Sequence, residues 1–178
     1  MKYDYDITLA FKKEWQKIIL DWYSFNKRDL PWRKKTHQNF YKIWISEIML
    51  QQTTVATVIP FYKRFLKKWP SLKLFMNATL EEILYEWQGL GYYQRAKNLF
   101  KAKEFLKTNK LIINSKNLLN IPGIGEYTSS SISAILKDEA CAVIDGNIER
   151  ILLRVFDLNR TEKDFKKKIR ILAPKLTP

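Results

Sequence analysis

Apolar side chains along this 178-residue chain recur every three or four positions rather than every two. The repeat begins with Phe11, Trp15, Ile18, Ile19 and Trp22, and this spacing places side chains on one face of an α-helix. A half-buried strand would need alternation of apolar and polar residues, and no segment shows it convincingly. We therefore expect the fold class to be all-α.

Prolines, glycines and capping residues divide this pattern into separate helices. The first helix should end before Pro31, because the residue preceding a proline is disfavoured in a helix. Thr79 and Glu82 have the spacing of a capping box, and Gly89 follows as a C-terminal cap. Further helices are expected at roughly 40–51, 55–69 (kinked at Pro60), 80–88, 93–107, 116–119, 126–137, 147–156 and 164–173.

The final helix carries one apolar face, formed by Ile169, Ile171, Leu172 and Leu176. We expect this face to pack on the first helix around Trp15 and Trp22. The two ends of the chain would then share one small core.

The chain is strongly basic. It has 32 Lys and Arg against 18 Asp and Glu, a formal charge of +14, while 46% of its residues are hydrophobic and can form a core. A folded chain with this excess of cations attracts polyanions such as nucleic acid. Residues 94–117 carry a net charge of +6 from seven cations, Arg95, Lys97, Lys101, Lys103, Lys107, Lys110 and Lys116, against one acid, Glu104.

Other classes of protein are excluded by what the sequence lacks. Cys141 and His37 are the only residues of their types, which rules out an intrachain disulfide, a cysteine-rich cluster or a histidine triad built by these residues, so no metal ligand set is assigned. No stretch approaches the ~20 apolar residues of a membrane span, and the first residues do not resemble a secretory signal. We expect a cytoplasmic protein with no membrane partner.

A Pro-Gly-Ile-Gly turn between two apolar helix ends, at Leu119–Thr128, is the most specific local motif. Gly123 and Gly125 permit positive φ angles. Such a turn before a helix directs backbone N–H groups outward at the positive end of the helix dipole, where a phosphate oxygen can bind. A plain turn between helices is the alternative, but the adjacent basic segment favours a helix-hairpin-helix that holds a nucleic-acid backbone.

Two carboxylates have surroundings that suit chemistry. Glu47 lies among apolar residues in Ile45–Leu50, where burial raises the pKa and suits a general acid; the alternative is a solvated residue on a helix face. Asp145 follows a short apolar run and opens a helix. For a single Asp in that position, a helix N-cap is the usual role.

Five ordered blocks of sequence resemble the adenine DNA glycosylases of the MutY type, within the helix-hairpin-helix glycosylase superfamily. The blocks are Leu30–Arg33, Ser46–Thr53, Gly89–Tyr93, Pro122–Thr128 and Ile144–Asn147. The resemblance implies a six-helix barrel, here 29–142, packed against a second helical lobe formed by 1–28 and 143–178 and incomplete at its C-terminal end. It also implies removal of adenine mispaired with 8-oxoguanine or guanine, leaving an abasic site.

The resemblance assigns roles to individual residues. Glu47 would protonate adenine N7, Asp145 would stabilise the sugar cation, and Asn147 would orient that centre. The base must leave the duplex to be reached. The remaining assignments are an adenine pocket of Arg28, Leu30, Trp32 and Val55, lesion-probing or intercalating residues Gln52, Thr53, Leu90 and Tyr92, and DNA-backbone contacts by Ile121, Gly123, Gly125 and Thr128. For the apolar members, packing in the core is the alternative.

Tyr127 distinguishes branches of the superfamily. Relatives resembling endonuclease III have a lysine there, which forms a Schiff base and cleaves the strand, and a phenol cannot form that imine. Tyr127 therefore implies a monofunctional glycosylase. The alternatives are a thymine or uracil glycosylase acting on G mismatches, and a non-catalytic helix-hairpin-helix module that only binds DNA.

The resemblance also implies partners and a cofactor. Double-stranded DNA containing a mispaired or damaged base would be the partner, and we expect a monomer located with the bacterial nucleoid. The family's [4Fe–4S] cluster would need cysteines beyond Pro178, so no cofactor is assigned to this chain. The family's C-terminal domain that recognises 8-oxoguanine would also follow Pro178. These departures predict a fragment of a longer protein.

Overall fold

A computed structural model describes residues 7–177, and all regular structure in that range is helical. The α-helices are α1 (Leu9–Asn26), α2 (Phe40–Leu50), α3 (Val55–Lys68), α4 (Leu72–Phe75), α5 (Leu80–Trp87), α6 (Gln94–Thr108), α7 (Ser115–Leu118), α8 (Glu126–Lys137), α9 (Gly146–Val155) and α10 (Phe165–Leu176). Two short 3₁₀-helices lie at Pro31–Arg33 and Lys35–His37. The all-α fold is confirmed.

Side-chain caps fix where many of these helices begin. Thr8, Asn39, Thr54 and Asn114 each accept a hydrogen bond from a first-turn amide, which satisfies one of the N–H groups that a helix start leaves without a partner. The capping box before α5 is present in full, with Thr79 and Glu82 each accepting from the other's backbone amide. Gly89 follows that helix with φ +90°.

Helix boundaries differ from the sequence prediction mainly at the end of the last helix and at short helices. α3 continues through Pro60 to Lys68, close to the predicted 55–69, whereas α10 continues through Pro174 to Leu176, past the predicted end at 173. A proline removes one hydrogen bond from a helix, and neither proline ends its helix here. The two 3₁₀-helices and α4 were not predicted, because three or four residues give too few positions to show a helical period.

Residues 29–139 form one unit with an aromatic core. α2 lies at its centre and packs against α3, α6 and α8. Its side chains at Phe40, Tyr41, Ile43, Trp44, Ile45, Ser46, Ile48 and Met49 are buried. A helix that is apolar around most of its circumference belongs in a core, so any charged group on α2 is held close to apolar surroundings.

The other unit comprises the described residues 7–28 and 140–177. Its small core contains Leu152, Phe165, Ile169, Leu172 and Leu176. Trp15 packs against this core as predicted, and the Gln16 side-chain amide donates to the Leu176 carbonyl at 3.3 Å. The prediction for Trp22 was wrong, because its side chain is 62% exposed. None of the residues of α1 is fully buried.

No helix in the range 7–177 is both long enough and apolar enough to cross a lipid bilayer.

Candidate active site and nucleic-acid interface

Glu47 is one of two charged residues on the buried helix α2. It is partly exposed, whereas Ser46 and Ile48 on either side are buried. Burial raises the pKa of the Glu47 carboxyl group above its ordinary value, because an apolar environment disfavours the ionised form. The carboxyl group is thus set up to hold a proton at a higher pH than a solvated glutamate.

Ser131 is a functional candidate that the sequence analysis missed. It lies on α8 at the edge of the core, and its hydroxyl hydrogen-bonds the Glu47 carboxylate, which opposes part of the rise in the Glu47 pKa. A second bond joins the same two helices, from the Gln51 side-chain amide to the Thr128 hydroxyl at 3.2 Å. The run Ser129-Ser130-Ser131 inside a helix was the available signal, because buried serines need hydrogen-bond partners.

Tyr127 lies one helical turn before Ser131 on α8 and is 45% exposed. Residues four apart on a helix share a face. Tyr127 is therefore on the side of α8 that carries the hydroxyl bonded to Glu47. No lysine occupies this position.

The two hairpin glycines have different roles, which corrects the prediction that both serve positive φ. Gly123 has φ +80°, and a Cβ built on it would lie 2.7 Å from the Asn98 Cβ, so both conformation and close approach to α6 require glycine. Gly125 has φ −93° and open space where a Cβ would be. Gly125 is thus the exposed N-cap of α8 and is under no backbone strain.

The start of α8 has no side-chain cap. Gly125 has no side chain that could accept from the first amides, which therefore remain available to an outside acceptor at the positive end of the helix dipole. Ile121 and Thr128 are buried on either side and anchor the turn. This arrangement can bind an anion such as a phosphate oxygen.

Two cations of the basic segment 94–117 do not face solvent. Arg95 is 7% exposed and Lys103 is 2% exposed, and both donate to backbone carbonyls inside the unit. The exposed cations are Lys97, Lys101, Lys107, Lys110 and Lys116. The number of cations in this segment that can contact a polyanion is therefore five, not the seven counted from the sequence.

The residues predicted to probe the base stack fall into two groups. Gln52 and Tyr92 are exposed and have left-handed φ angles of 55° and 50°, which non-glycine residues adopt rarely. Thr53 is partly exposed beside Gln52. Leu90 is 4% exposed and belongs to the core, which agrees with the core-packing alternative.

Two of the four residues predicted to line an adenine pocket are buried. Leu30 and Trp32 are core residues, and the Trp32 ring meets the Tyr62 ring edge-on at 5.4 Å. Val55 is partly exposed at the start of α3. Arg28 is exposed at the end of a segment of the other unit.

Asp145 caps α9 in the second unit. One carboxylate oxygen accepts from the amides of Asn147 and Ile148, both at 2.9 Å, and the other accepts from the Asn147 side chain at 2.9 Å. The Asn147 side-chain oxygen accepts in turn from Arg150. The capping role is therefore filled, and the network holds a partly exposed carboxylate in a fixed orientation.

The residues present do not fit an iron–sulfur cluster. Such a cluster takes four cysteine ligands, and the 178 residues contain Cys141 alone. Among the described residues, no group of three or more metal-binding side chains comes together.

Comparison with known proteins defines the class to which this arrangement belongs. The chain matches the HhH-GPD superfamily of base excision DNA repair proteins over residues 45–175, a range that runs from α2 through the hairpin to α10. The chain belongs to this family.

The chain is similar to proteins named adenine DNA glycosylase. It is 41% identical to the one from Buchnera aphidicola of Baizongia pistaciae over 175 residues, which is 96% of this chain and 48% of that protein. For the Rattus norvegicus protein the identity is 41% over 160 residues, 84% of this chain and 30% of that protein. The chain spans about half the length of the Buchnera relatives it matches.

Solved structures confirm the helix-hairpin-helix glycosylase fold. A thermostable thymine-DNA glycosylase superposes with a TM-score of 0.81 at 26% identity, covering 97% of this chain and 81% of that one. An endonuclease III trapped in a covalent complex with DNA gives 0.70 at 19% identity, covering 93% and 79%.

Proposed function

We propose that this chain is the catalytic part of a base-excision repair enzyme that removes adenine mispaired with 8-oxoguanine or guanine in double-stranded DNA. The observation that carries the proposal is the Glu47 carboxyl group, whose pKa is raised by burial on the central helix. Support for adenine as the base comes from the names of relatives that are 37–41% identical.

Glu47 acts as the general acid in this proposal. It donates its proton to N7 of the extruded adenine as the bond from C1′ to N9 breaks, so that the bond's electron pair leaves on a neutral base. The sugar is left as a cation at C1′. Water adds there and releases a proton, which balances the one that Glu47 gave, and the products are free adenine and an abasic site.

Asp145 stabilises the developing sugar cation through its negative charge. Its support is the hydrogen-bonded network with Asn147, which fixes the carboxylate without burying it. A carboxylate in a fixed orientation does not have to reorganise as positive charge forms.

DNA is held by the uncapped start of α8 and by the exposed lysines of segment 94–117. Phosphate contacts of this kind fix the position of the protein without reading sequence. Gln52 and Tyr92 enter the base stack beside the target, filling the space that adenine leaves.

Thymine removal from G·T mismatches is the second candidate. It is favoured by the structural similarity to a thymine-DNA glycosylase at 26% identity. Adenine is preferred because the sequence identity to the adenine enzymes is higher, and no observation favours a module that binds DNA without catalysis.

A single-turnover assay on three duplexes tests the proposal. The duplexes contain A opposite 8-oxoguanine, A opposite G, and T opposite G. We expect excision of adenine from the first two and little from the third, whereas preferential loss of thymine supports the second candidate. DNA binding without excision of any base contradicts catalysis by this chain.

Borohydride treatment of the same reactions tests whether strand cleavage follows. With Tyr127 in place of a lysine, no protein–DNA adduct should be trapped and the strand should stay intact until alkali is added. A trapped adduct would show that another amine of this chain attacks the sugar.

A further inference from the structure

Arg95 is a buried cation that binds both the C-terminal end of α2 with the loop after it and the loop before α6. Its side chain is 7% exposed at the start of α6. One terminal nitrogen, Nη1, donates to the carbonyls of Ile48, Met49 and Gln51 at 3.2, 2.7 and 2.5 Å. The other, Nη2, donates to the carbonyls of Leu90 and Gly91 at 3.3 and 3.1 Å.

Each loop has a left-handed residue directly after a carbonyl that Arg95 holds. Gln51 precedes Gln52, with φ 55°, and Gly91 precedes Tyr92, with φ 50°. Fixing a carbonyl fixes the plane of the peptide that follows, because the peptide group is rigid. Arg95 therefore constrains the backbone on entry to both unusual conformations.

The surroundings of Arg95 strengthen this constraint on the second loop. The Trp87 indole N–H also donates to the Gly91 carbonyl, at 3.1 Å. The guanidinium carbon lies 5.6 Å from the centre of the Trp87 ring and 5.3 Å from that of the Tyr92 ring. The exposed Tyr92 side chain is thus held through its backbone and its ring.

We propose that Arg95 is a positioning residue that couples the loop at Gln52 to the loop at Tyr92, so that both side chains are presented to DNA together. The proposal rests on the proposed function, which places these two side chains in the base stack. Movement of either loop breaks bonds to a guanidinium that the other loop also needs. The two loops should therefore loosen together.

If Arg95 had a purely structural role through its positive charge, replacement by lysine should be tolerated. As a cation at the C-terminal end of α2, it also interacts favourably with the helix dipole. Lysine would supply that charge but not the planar two-armed fork. Arg95→Lys consequently separates the two roles, with Lys67→Gln at an exposed lysine of α3 as a control.

Hydrogen exchange tests the coupling without reference to DNA. The Thr53 amide donates to Leu50 in one loop and the Leu90 amide donates to Trp87 in the other. In Arg95→Lys both amides should exchange faster by about fivefold or more, while Lys67→Gln matches the parent chain. Unchanged exchange, or faster exchange in one loop only, overturns the coupling.

Excision kinetics test whether the coupling serves base extrusion. Adenine is presented either opposite 8-oxoguanine or opposite an abasic-site analogue, where it is already unpaired. Arg95→Lys should slow excision of the paired adenine by about tenfold or more and that of the unpaired adenine by less than about threefold, because unpairing has been done in advance. Equal losses on both substrates, or no loss, overturn the proposal.

Trp87→Phe keeps the proposal testable if Arg95→Lys does not fold. This variant removes one N–H from the Gly91 carbonyl and leaves Arg95 in place. Coupling predicts faster exchange at Leu90 and also at Thr53 in the other loop, and a response at Leu90 alone contradicts it. If the parent chain excises neither adenine, the proposed function fails, and the exchange data still decide the role of Arg95 in the loops.

Discussion

Glu47 places an ionisable carboxyl group on a buried helix, an arrangement that is unfavourable for stability and suitable for general acid catalysis. Its carboxyl group lies on the most buried helix of its unit, where ionisation is disfavoured. A general acid benefits from this because it must still hold its proton when the substrate arrives. The hydroxyl of Ser131 lowers the pKa of Glu47, so in the proposed mechanism both residues affect the pH range over which Glu47 can act as an acid.

Ser131→Ala should shift the high-pH limb of the pH–rate profile, on which the rate falls as pH rises, to higher pH. In the proposed mechanism excision needs protonated Glu47, so the rate should fall as pH rises through the Glu47 pKa. Ser131 lowers that pKa, and its removal raises it further. The measurement is the single-turnover excision rate against pH, with Ser133→Ala as a control at a buried serine of the same helix. A limb at lower pH, or an unmoved limb, would contradict the role of Ser131.

Asp145→Asn should separate the helix cap from the chemistry. Asparagine caps helices as well as aspartate does, so the thermal midpoint should change little. Excision should fall by about 100-fold or more, because the amide has no charge to face the sugar cation. Asp145→Ala is the comparison, since it also loses the cap, at a cost of ~1 kcal/mol of stability. Near-normal excision by the asparagine variant would leave Asp145 as a cap alone.

At the scale of elements, the helical repeat predicted α2, α5, α6 and α8 to within two residues at either end. These elements are encoded locally, by apolar spacing and by capping residues such as Thr79. The short helices at 31–37 and 72–75 were missed because three or four residues show too little of a helical period.

Features that depend on contacts between elements were not predictable from the sequence. The sequence does not show that Arg95 and Lys103 turn inward while Lys97 and Lys101 face solvent. It also does not show that Gln52 and Tyr92 take left-handed conformations. The carbonyls before these residues are bound by Arg95, which lies 43 positions after Gln52 and 3 after Tyr92. The apolar neighbours of Glu47 predicted its raised pKa, whereas its bond to Ser131 depends on the packing of α2 against α8.

Gly125→Asp should stabilise α8 and weaken DNA binding. The position has ordinary extended geometry and open space for a side chain, and aspartate is a favoured N-cap. The carboxylate would occupy the amides proposed to bind phosphate and repel the phosphate itself.

Gly125→Asn is the control, since it caps without charge and should cause a smaller loss. Affinity measured on duplexes of several sequences should fall alike for all of them. An unchanged affinity, or a loss confined to one mismatch, would contradict a backbone contact at this turn.

At the scale of the whole molecule, the charge of +14 should make DNA binding steeply dependent on salt. The logarithm of the affinity should fall linearly with the logarithm of salt concentration, by about 0.9 per phosphate neutralised. Lys97→Gln should reduce this slope by about one unit if that exposed lysine contacts phosphate, whereas Lys67→Gln on α3 should not. A flat plot for the parent chain would contradict binding to nucleic acid.

The central claim is that Glu47 delivers the proton that releases adenine, and Glu47→Gln tests it most directly. The amide keeps the shape of the side chain and cannot donate to N7. Single-turnover excision of adenine opposite 8-oxoguanine should fall by about 100-fold or more, while affinity for the same duplex stays within about threefold of the parent chain. Excision by Glu47→Gln within tenfold of the parent rate, at equal DNA binding, would contradict the assignment of Glu47 as the general acid.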